Sequence, residues 1–352
     1  MGVTCSNCCS YSTSLPQPKL INPKDIETVL ASQSNSHPEL VTAKPGGTTY
    51  SKNEILSQSF FSEMGFNKTE TTNQTQKSNL DLVKTTLGLE MRVSLPQILF
   101  ENGSIYKGEW LNGQRDGKGV LTFKDGSRYE GDWKDDKASG FGRLVHADGD
   151  YYEGEWLEDK ANGEGVYCYI NGVIYRGSWM NDQQHGKGLE IWPDGGKFEG
   201  DFENGKKHGM GTIWFADGSY YKGEFKDNEI EGLGEHVSKE KKSVGFWKNN
   251  KLEGMGKITW ENGKSYEGEF ENDLKHGFGM FKWRDGRKYV GEWKEGRQNG
   301  KGLYIDEKEE KKIGIWVDGK RIEWVNGYEE NEFYKDFLKK CEEFERKIIS
   351  PK

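Results

Sequence analysis

The chain is poor in aliphatic residues. Only 33% of its 352 residues are hydrophobic, against 31% charged. A compact α/β enzyme needs a thick aliphatic core, and this composition does not supply one. No run of eighteen apolar residues occurs, so no segment reads as a membrane-spanning helix. No basic tract occurs either, and the net charge is −8. That argues against nucleic acid as a partner, because such binding rests on phosphate neutralisation. Residues 2–15 lack the charged start and apolar run of a secretory signal, so the expectation is a cytosolic chain with reduced thiols. Catalytic signatures are missing as well. There is no Gly-x-Ser-x-Gly, His-Glu-x-x-His, paired Cys-x-x-Cys or Gly-x-Gly-x-x-Gly, and residues 326–352 are too few for a catalytic domain. The reading is a non-enzyme without cofactor or metal.

Glycine and aromatic residues are abundant: there are 47 glycines, and 13% of residues are aromatic. They are organised. YKGEWLNGQRDGKGVLTFKDGSR (106–128) is followed by YEGDWKDDKASGFGRLVHADGDY (129–151), with Tyr, Gly, Trp, Gly-x-Gly and Asp-Gly returning in place. Nine copies fill 106–311, each of 23 residues except the sixth, which has 22. A half-copy precedes them at 94–105, and another follows at 312–325. A fixed period of this size marks a repeat array.

Each copy reads as two strands. Tyr-x-Gly-x-Trp alternates, and so does the run after Gly-x-Gly. Asp-Gly or Asn-Gly at 125–126, 148–149, 171–172, 194–195, 217–218, 262–263 and 285–286 predicts type I′ turns joining one copy to the next. The expected fold is an all-β, elongated, single-layer antiparallel hairpin array. Its fifth-place rings are Trp110, Trp133, Trp156, Trp179, Phe202, Phe225, Trp247, Phe270 and Trp293. They form one face, which serves mainly as core and secondarily as a partner surface, with the glycines leaving room for rings. The residue before each ring is acidic in seven of nine copies, as at Glu109, Asp132 and Glu155. This predicts an acidic opposite face that repels anionic lipid. His185, His208 and His276 share a position with Asp116, Ser139 and Asn162, which reads as a polar turn rather than a metal or catalytic site. The sixth copy ends in SKEKKS and the seventh opens on Ser243 in place of tyrosine, so a bend or loosened hairpin is expected near 236–245.

These residues resemble the MORN repeat (membrane occupation and recognition nexus). The resemblance covers 106–311 with half-copies beyond. It implies a twisted hairpin array, often closed by a terminal helix, acting as scaffold, oligomerisation surface or membrane-linked tether. It also implies settings such as junctional membranes, cilia, cortical cytoskeleton and lipid-kinase regulation. The family carries no shared catalytic residues.

Two other zones flank the array. Residues 328–349 place Phe333, Phe337, Cys341, Phe344 and Ile348 at spacings of four, four, three and four. That is an amphipathic helix, expected to cap the open end of the array and its last ring row. Residues 11–93 are rich in Ser, Thr, Asn, Gln and Lys and read as a largely disordered tether. Within it, residues 23–31 and 53–66 have short helical patterns. The second, NEILSQSFFSEMGF, reads either as a segment folding back on the repeats or as a helix for a partner. Residues 1–10 form an acylation motif: MGVTCS matches the myristoylation pattern at Gly2. One such chain anchors only marginally, and Cys5, Cys8 and Cys9 offer palmitoylation sites for a second.

The combined expectation is a scaffold on the cytoplasmic face of a membrane. A flexible tether of roughly 50 Å r.m.s. span would lead to a rod of up to ~85 Å that binds protein partners, with a homodimer open. The alternatives are a structural protein of the cilium, axoneme or cortical cytoskeleton, and a lipid-kinase regulatory module.

Overall fold

The computed structural model describes residues 91–327 and 332–349. Gly2, Cys5, Cys8, Cys9 and the tether lie outside the described residues. The array is one antiparallel sheet of 21 strands, from β1 (Val93–Leu99) to β21 (Lys320–Trp324). Each strand pairs with its neighbours in sequence, so the sheet is an uninterrupted meander.

The second copy shows why these residues fold this way. Its strands are β4 (Arg128–Lys134) and β5 (Lys137–Val145). Gly131 faces Gly142 across the pair, and the Tyr129 ring lies over both. A Cβ on Gly142 would sit 2.3 Å from the Tyr129 hydroxyl, so no side chain larger than hydrogen fits beneath the ring. The Tyr129 hydroxyl donates to the Asp132 carbonyl at 3.0 Å, and the ring is fully buried. Trp133 meets it edge-on at 5.1 Å between centroids, and Trp156 of the next copy meets it at 5.2 Å. The Trp133 indole N–H donates back to the Gly119 carbonyl of the previous copy at 3.2 Å. One tyrosine thus joins two copies, and the ring ladder replaces an aliphatic core. Each edge-on pair contributes roughly 0.5–1.5 kcal/mol beyond its buried area.

Two kinds of turn alternate, and their assignment corrects the sequence reading. The type I′ turns lie within the copies. Asp135 and Asp136 close β4–β5 with φ of 50° and 67°, and Glu158–Asp159, Asn181–Asp182, Asp227–Asn228, Asn249–Asn250 and Asn272–Asp273 do the same. The Asp-Gly turns between copies are three-residue loops. At 124–126, Gly126 N donates to the Phe123 carbonyl at 3.1 Å and Phe123 N to the Ser127 carbonyl at 2.8 Å. Only the glycine takes positive φ, 95° at Gly126. The aspartate supplies a side-chain acceptor instead, Ser127 N to Asp125 Oδ1 at 2.9 Å.

The ladder breaks once. Tyr221 reaches Trp247 at 5.4 Å, and Tyr266 bridges Phe270 and Trp293 at 5.1 Å each. Ser243 supplies no ring between Trp247 and Phe270. Buried Leu252 occupies the gap, its Cδ1 lying 3.1 Å from where a Cβ on Gly245 would be. The core accordingly falls into two clusters that share Trp247. The hairpin here is not loosened, contrary to expectation. β13 (Glu229–Val237) and β14 (Lys241–Lys248) stay in register to Val237↔Lys242. The loop is simply shorter, closed by Ser238 N to the Lys241 carbonyl at 2.9 Å.

The terminal helix α1 (Glu332–Ile349) is present. Phe337 and Cys341 are buried against Phe278, Val290, Leu303, Ile305 and Ile313. Those residues share the face of Glu292, opposite the ring ladder. The helix therefore closes the array from its outer face and not across its edge. Trp324 ends the ladder instead, standing at 90° to Trp316 with centroids 5.9 Å apart. Edge strand β21 carries Lys320, Arg321 and Glu323, charges that discourage pairing with another chain.

Leu252→Ala is expected to lower stability by about 2–5 kcal/mol. Because Leu252 fills the ladder gap beside Gly245, hydrogen exchange should then show the strands before Trp247 and those after it opening independently. Loss of protection spread evenly over all 21 strands would contradict the two-cluster core.

Candidate interaction surfaces

The nine fifth-place rings are packing residues. Trp110, Trp133, Trp156, Trp179, Phe202, Phe225, Phe270 and Trp293 are all buried, and Trp247 is partly buried at the ladder break. Cations cover some of them. The Arg115 guanidinium lies 4.1 Å from the Trp133 ring centre and pairs with Asp136 at 3.3 Å. The Lys275 amine lies 4.4 Å from the Trp293 ring centre, and burial pushes it down to about 8. The ladder face therefore offers partners little ring surface.

The acidic row has a role that the sequence reading missed. In each copy the second strand carries a bulge, placed by the register shift between Gly131 and Trp133 in the second copy. Gly140 takes φ of 100° there, and the free Phe141 N–H donates to Asp132 Oδ2 at 3.0 Å. All seven acidic copies make this bond. Glu109, Glu155, Asp201, Glu224, Glu269 and Glu292 accept from the backbone nine residues on, at 2.8–3.4 Å. The carboxylates cap bulges. The signal was in the sequence as a fixed nine-residue spacing from the acid to the middle of Gly-x-Gly, but only a bulge gives that spacing meaning.

Nor is the outer face uniformly acidic. Lys118–Asp132 and Lys187–Asp201 pair at 2.6 Å, Lys242–Glu235 at 2.7 Å and Lys257–Glu267 at 2.9 Å. It is a mixed-charge surface. His185, His208 and His276 lie in strands just ahead of the bulges, not in turns. His208 and His276 approach Glu203 and Glu271 at 3.4 and 3.0 Å. Among the described residues no group of His, Cys, Asp and Glu is arranged to hold a metal. No described helix is long and apolar enough to cross a membrane.

From the fifth copy to the seventh, the outer face changes character. Met210, Leu233, Phe246 and Met255 are exposed. They occupy the row held by Lys118, Phe141, Glu164 and Lys187 in earlier copies, where Phe141 alone is apolar and exposed, and Phe246 stands where other copies place the capping acid. Phe278, next in that row, lies under α1 with Phe344 at 5.3 Å. Beside Met210 the face is concave. Arg176, Lys187, Leu189, Met210, Trp214 and Lys222 line a shallow groove of about 590 Å³ whose lining includes one acid, Glu199.

The edge carrying the type I′ turns has a ladder of its own. Ala138 N donates to Asp159 Oδ1 at 2.7 Å and Ala161 N to Asp182 Oδ1 at 2.8 Å, each turn held by the one before. Burial pushes the Asp182 carboxyl up to about 7 against that bond. A raised carboxyl favours the folded state below its unfolded pKa, and the advantage is lost as pH rises towards 7. Asn228 and Asn250 hold the same position without charge. Asp182→Asn is therefore expected to raise stability by about 1–2 kcal/mol at pH 8 and hardly at all at pH 4, read as the melting temperature across pH. Equal gains at both pH values would contradict burial of the charge as the cause.

The MORN repeat family model matches residues 106–128, 129–151, 152–174, 175–197, 198–220, 221–239, 244–265, 266–286 and 289–308, more than half of the chain. No curated protein matches it. Among solved structures, the TCP10 domain of Danio rerio CPAP with a STIL peptide is 11% identical, covering 67% of this chain and 99% of that one at a TM-score of 0.37. The Drosophila melanogaster SAS-4 TCP domain with an Ana2 motif is 13% identical over 48% and 86%, at 0.28. A streptogramin B lyase is 11% identical over 66% and 85%, at 0.14. At these scores the likenesses carry nothing about function. No catalytic family matches. The tyrosine-on-glycine ladder, the capped bulges and the nine matched repeats make this chain a member of the MORN repeat family.

Proposed function

We propose that the protein is a non-catalytic scaffold, held at the cytoplasmic face of a membrane by acyl chains on Gly2 and on Cys5, Cys8 and Cys9. The observation that carries the scaffold half is the ring ladder. It runs with one break from Trp110 to Trp324, binds each copy to the next and leaves the outer face free to vary without loss of core. The outer face does vary, from mixed charge to exposed apolar residues, as a surface for protein partners would.

The anchor half rests on the sequence Met-Gly-Val-Thr-Cys-Ser, which fits the acyltransferase pattern. A second chain is needed for firm attachment. The first lysine is Lys19, so no nearby basic cluster substitutes for it. The mixed-charge outer face gives no cationic surface broad enough to hold anionic lipid by itself.

Gly2→Ala is expected to move the protein from the membrane to the soluble fraction. Replacing Cys5, Cys8 and Cys9 together should leave weak, reversible attachment. Cell fractionation reads both. A Gly2→Ala protein that pellets with membranes as firmly as the wild type would rule out the lipid anchor.

A further inference from the structure

The outer groove between β8 (Ile174–Met180) and β12 (Tyr220–Lys226) is cationic in a protein of net charge −8. Three of its lining residues are basic, Arg176, Lys187 and Lys222, against Glu199. Lys187 is paired with Asp201. Arg176 and Lys222 make no ion pair among the described residues. Its floor is apolar, with Leu189, Met210 and Trp214. The apolar row continues from Met210 through exposed Leu233, Phe246 and Met255 to Phe278, where α1 already lies on the same face. An amphipathic segment resting on this row is thus already part of the molecule. The uncovered stretch next to it needs an occupant with apolar residues and negative charge.

The chain contains such a segment. Residues 53–66, NEILSQSFFSEMGF, carry Ile55, Leu56, Phe60, Phe61, Met64 and Phe66, with Glu54 and Glu63 and no basic residue. Twenty-four residues separate the segment from Met91. A stretch of that length reaches about 80 Å when fully extended. From β1 to the middle of the groove is about nine strand steps, roughly 43 Å at ~4.8 Å each. The linker reaches it with partial extension. Being part of the same chain, the segment also has a high effective concentration.

We propose that residues 53–66 dock in this groove, Phe60 and Phe61 against Met210 and Trp214, with Glu54 and Glu63 facing Arg176 and Lys222. The proposal goes beyond membrane attachment and is tested on unacylated full-length protein, so its failure leaves the anchor untouched.

Methionine oxidation by dilute peroxide provides an internal comparison. Met210 is 52% exposed on the array and Met180 is 41% exposed, so a bare groove leaves Met210 at least as reactive. With the segment docked, Met210 should oxidise at least fivefold more slowly than Met180, as read by peptide mass spectrometry. Phe60→Glu/Phe61→Glu, which lies outside the array, should bring the two rates together. Arg176→Glu/Lys222→Glu should do the same, and adding Glu54→Lys/Glu63→Lys should restore the difference. Equal rates in the wild-type protein would overturn the proposal. So would slow Met210 oxidation that survives Phe60→Glu/Phe61→Glu. If that protection fades on dilution, the cover is a second copy of the chain; if it does not, the cover is another segment.

Discussion

A tyrosine ring lying flat on two facing glycines is the contact on which this array depends. A single-layer sheet has no second layer to hide its side chains, so its core must form within its own thickness. The glycine pair lets the ring sink to the backbone. The buried hydroxyl is satisfied by the carbonyl three residues on, as in Tyr152 to Glu155 and Tyr289 to Glu292. The rings of consecutive copies then meet edge-on. Remove the glycines and the ring has no seat; remove the ring and adjacent copies keep their backbone pairing and turn-to-turn bonds but lose their shared core.

The bulge is the second device, and it follows from the first. A strand that bends to wrap its rings must interrupt the ladder of backbone bonds somewhere. The interruption leaves an N–H without a strand partner. An acid placed before the tryptophan accepts it from across the hairpin. The first glycine of Gly-x-Gly permits the positive φ and leaves space for the carboxylate, since a Cβ on Gly117 would fall 1.9 Å from Glu109 Oε2. The second glycine serves the ring. Two glycines one residue apart have different jobs on opposite faces of one strand.

The seventh copy departs from both devices at once. Ser243 removes a ring from the inner face, and Phe246 puts one on the outer face where a capping acid belongs. Leu252 repairs the inside. Nothing described repairs the outside, and the exposed apolar row gathers there, next to the helix that covers its continuation. A repeat that must bind something specific can afford variation only on the face its core does not use.

The sequence by itself determined the repeat, the antiparallel meander, the ring row and the terminal helix, because period and alternation are local properties. Tertiary structure decided where those signals were ambiguous or long-range. Asp-Gly fits both a two-residue turn and a three-residue loop, and strand register selected the loop. Six of the true type I′ turns are spelled without glycine, as at Asp135–Asp136 and Asn181–Asp182, while others such as Asn112–Gly113 and Asn204–Gly205 keep it in second place. There the register of two strands and the bond from the preceding turn hold non-glycine residues at positive φ. The acid row was legible as a row, but its partner is a backbone N–H exposed only by a bulge. The helix stripe was legible too. Which surface it covers was set by Phe278, Val290 and Leu303, three outer-face residues in different strands that only the folded sheet brings together.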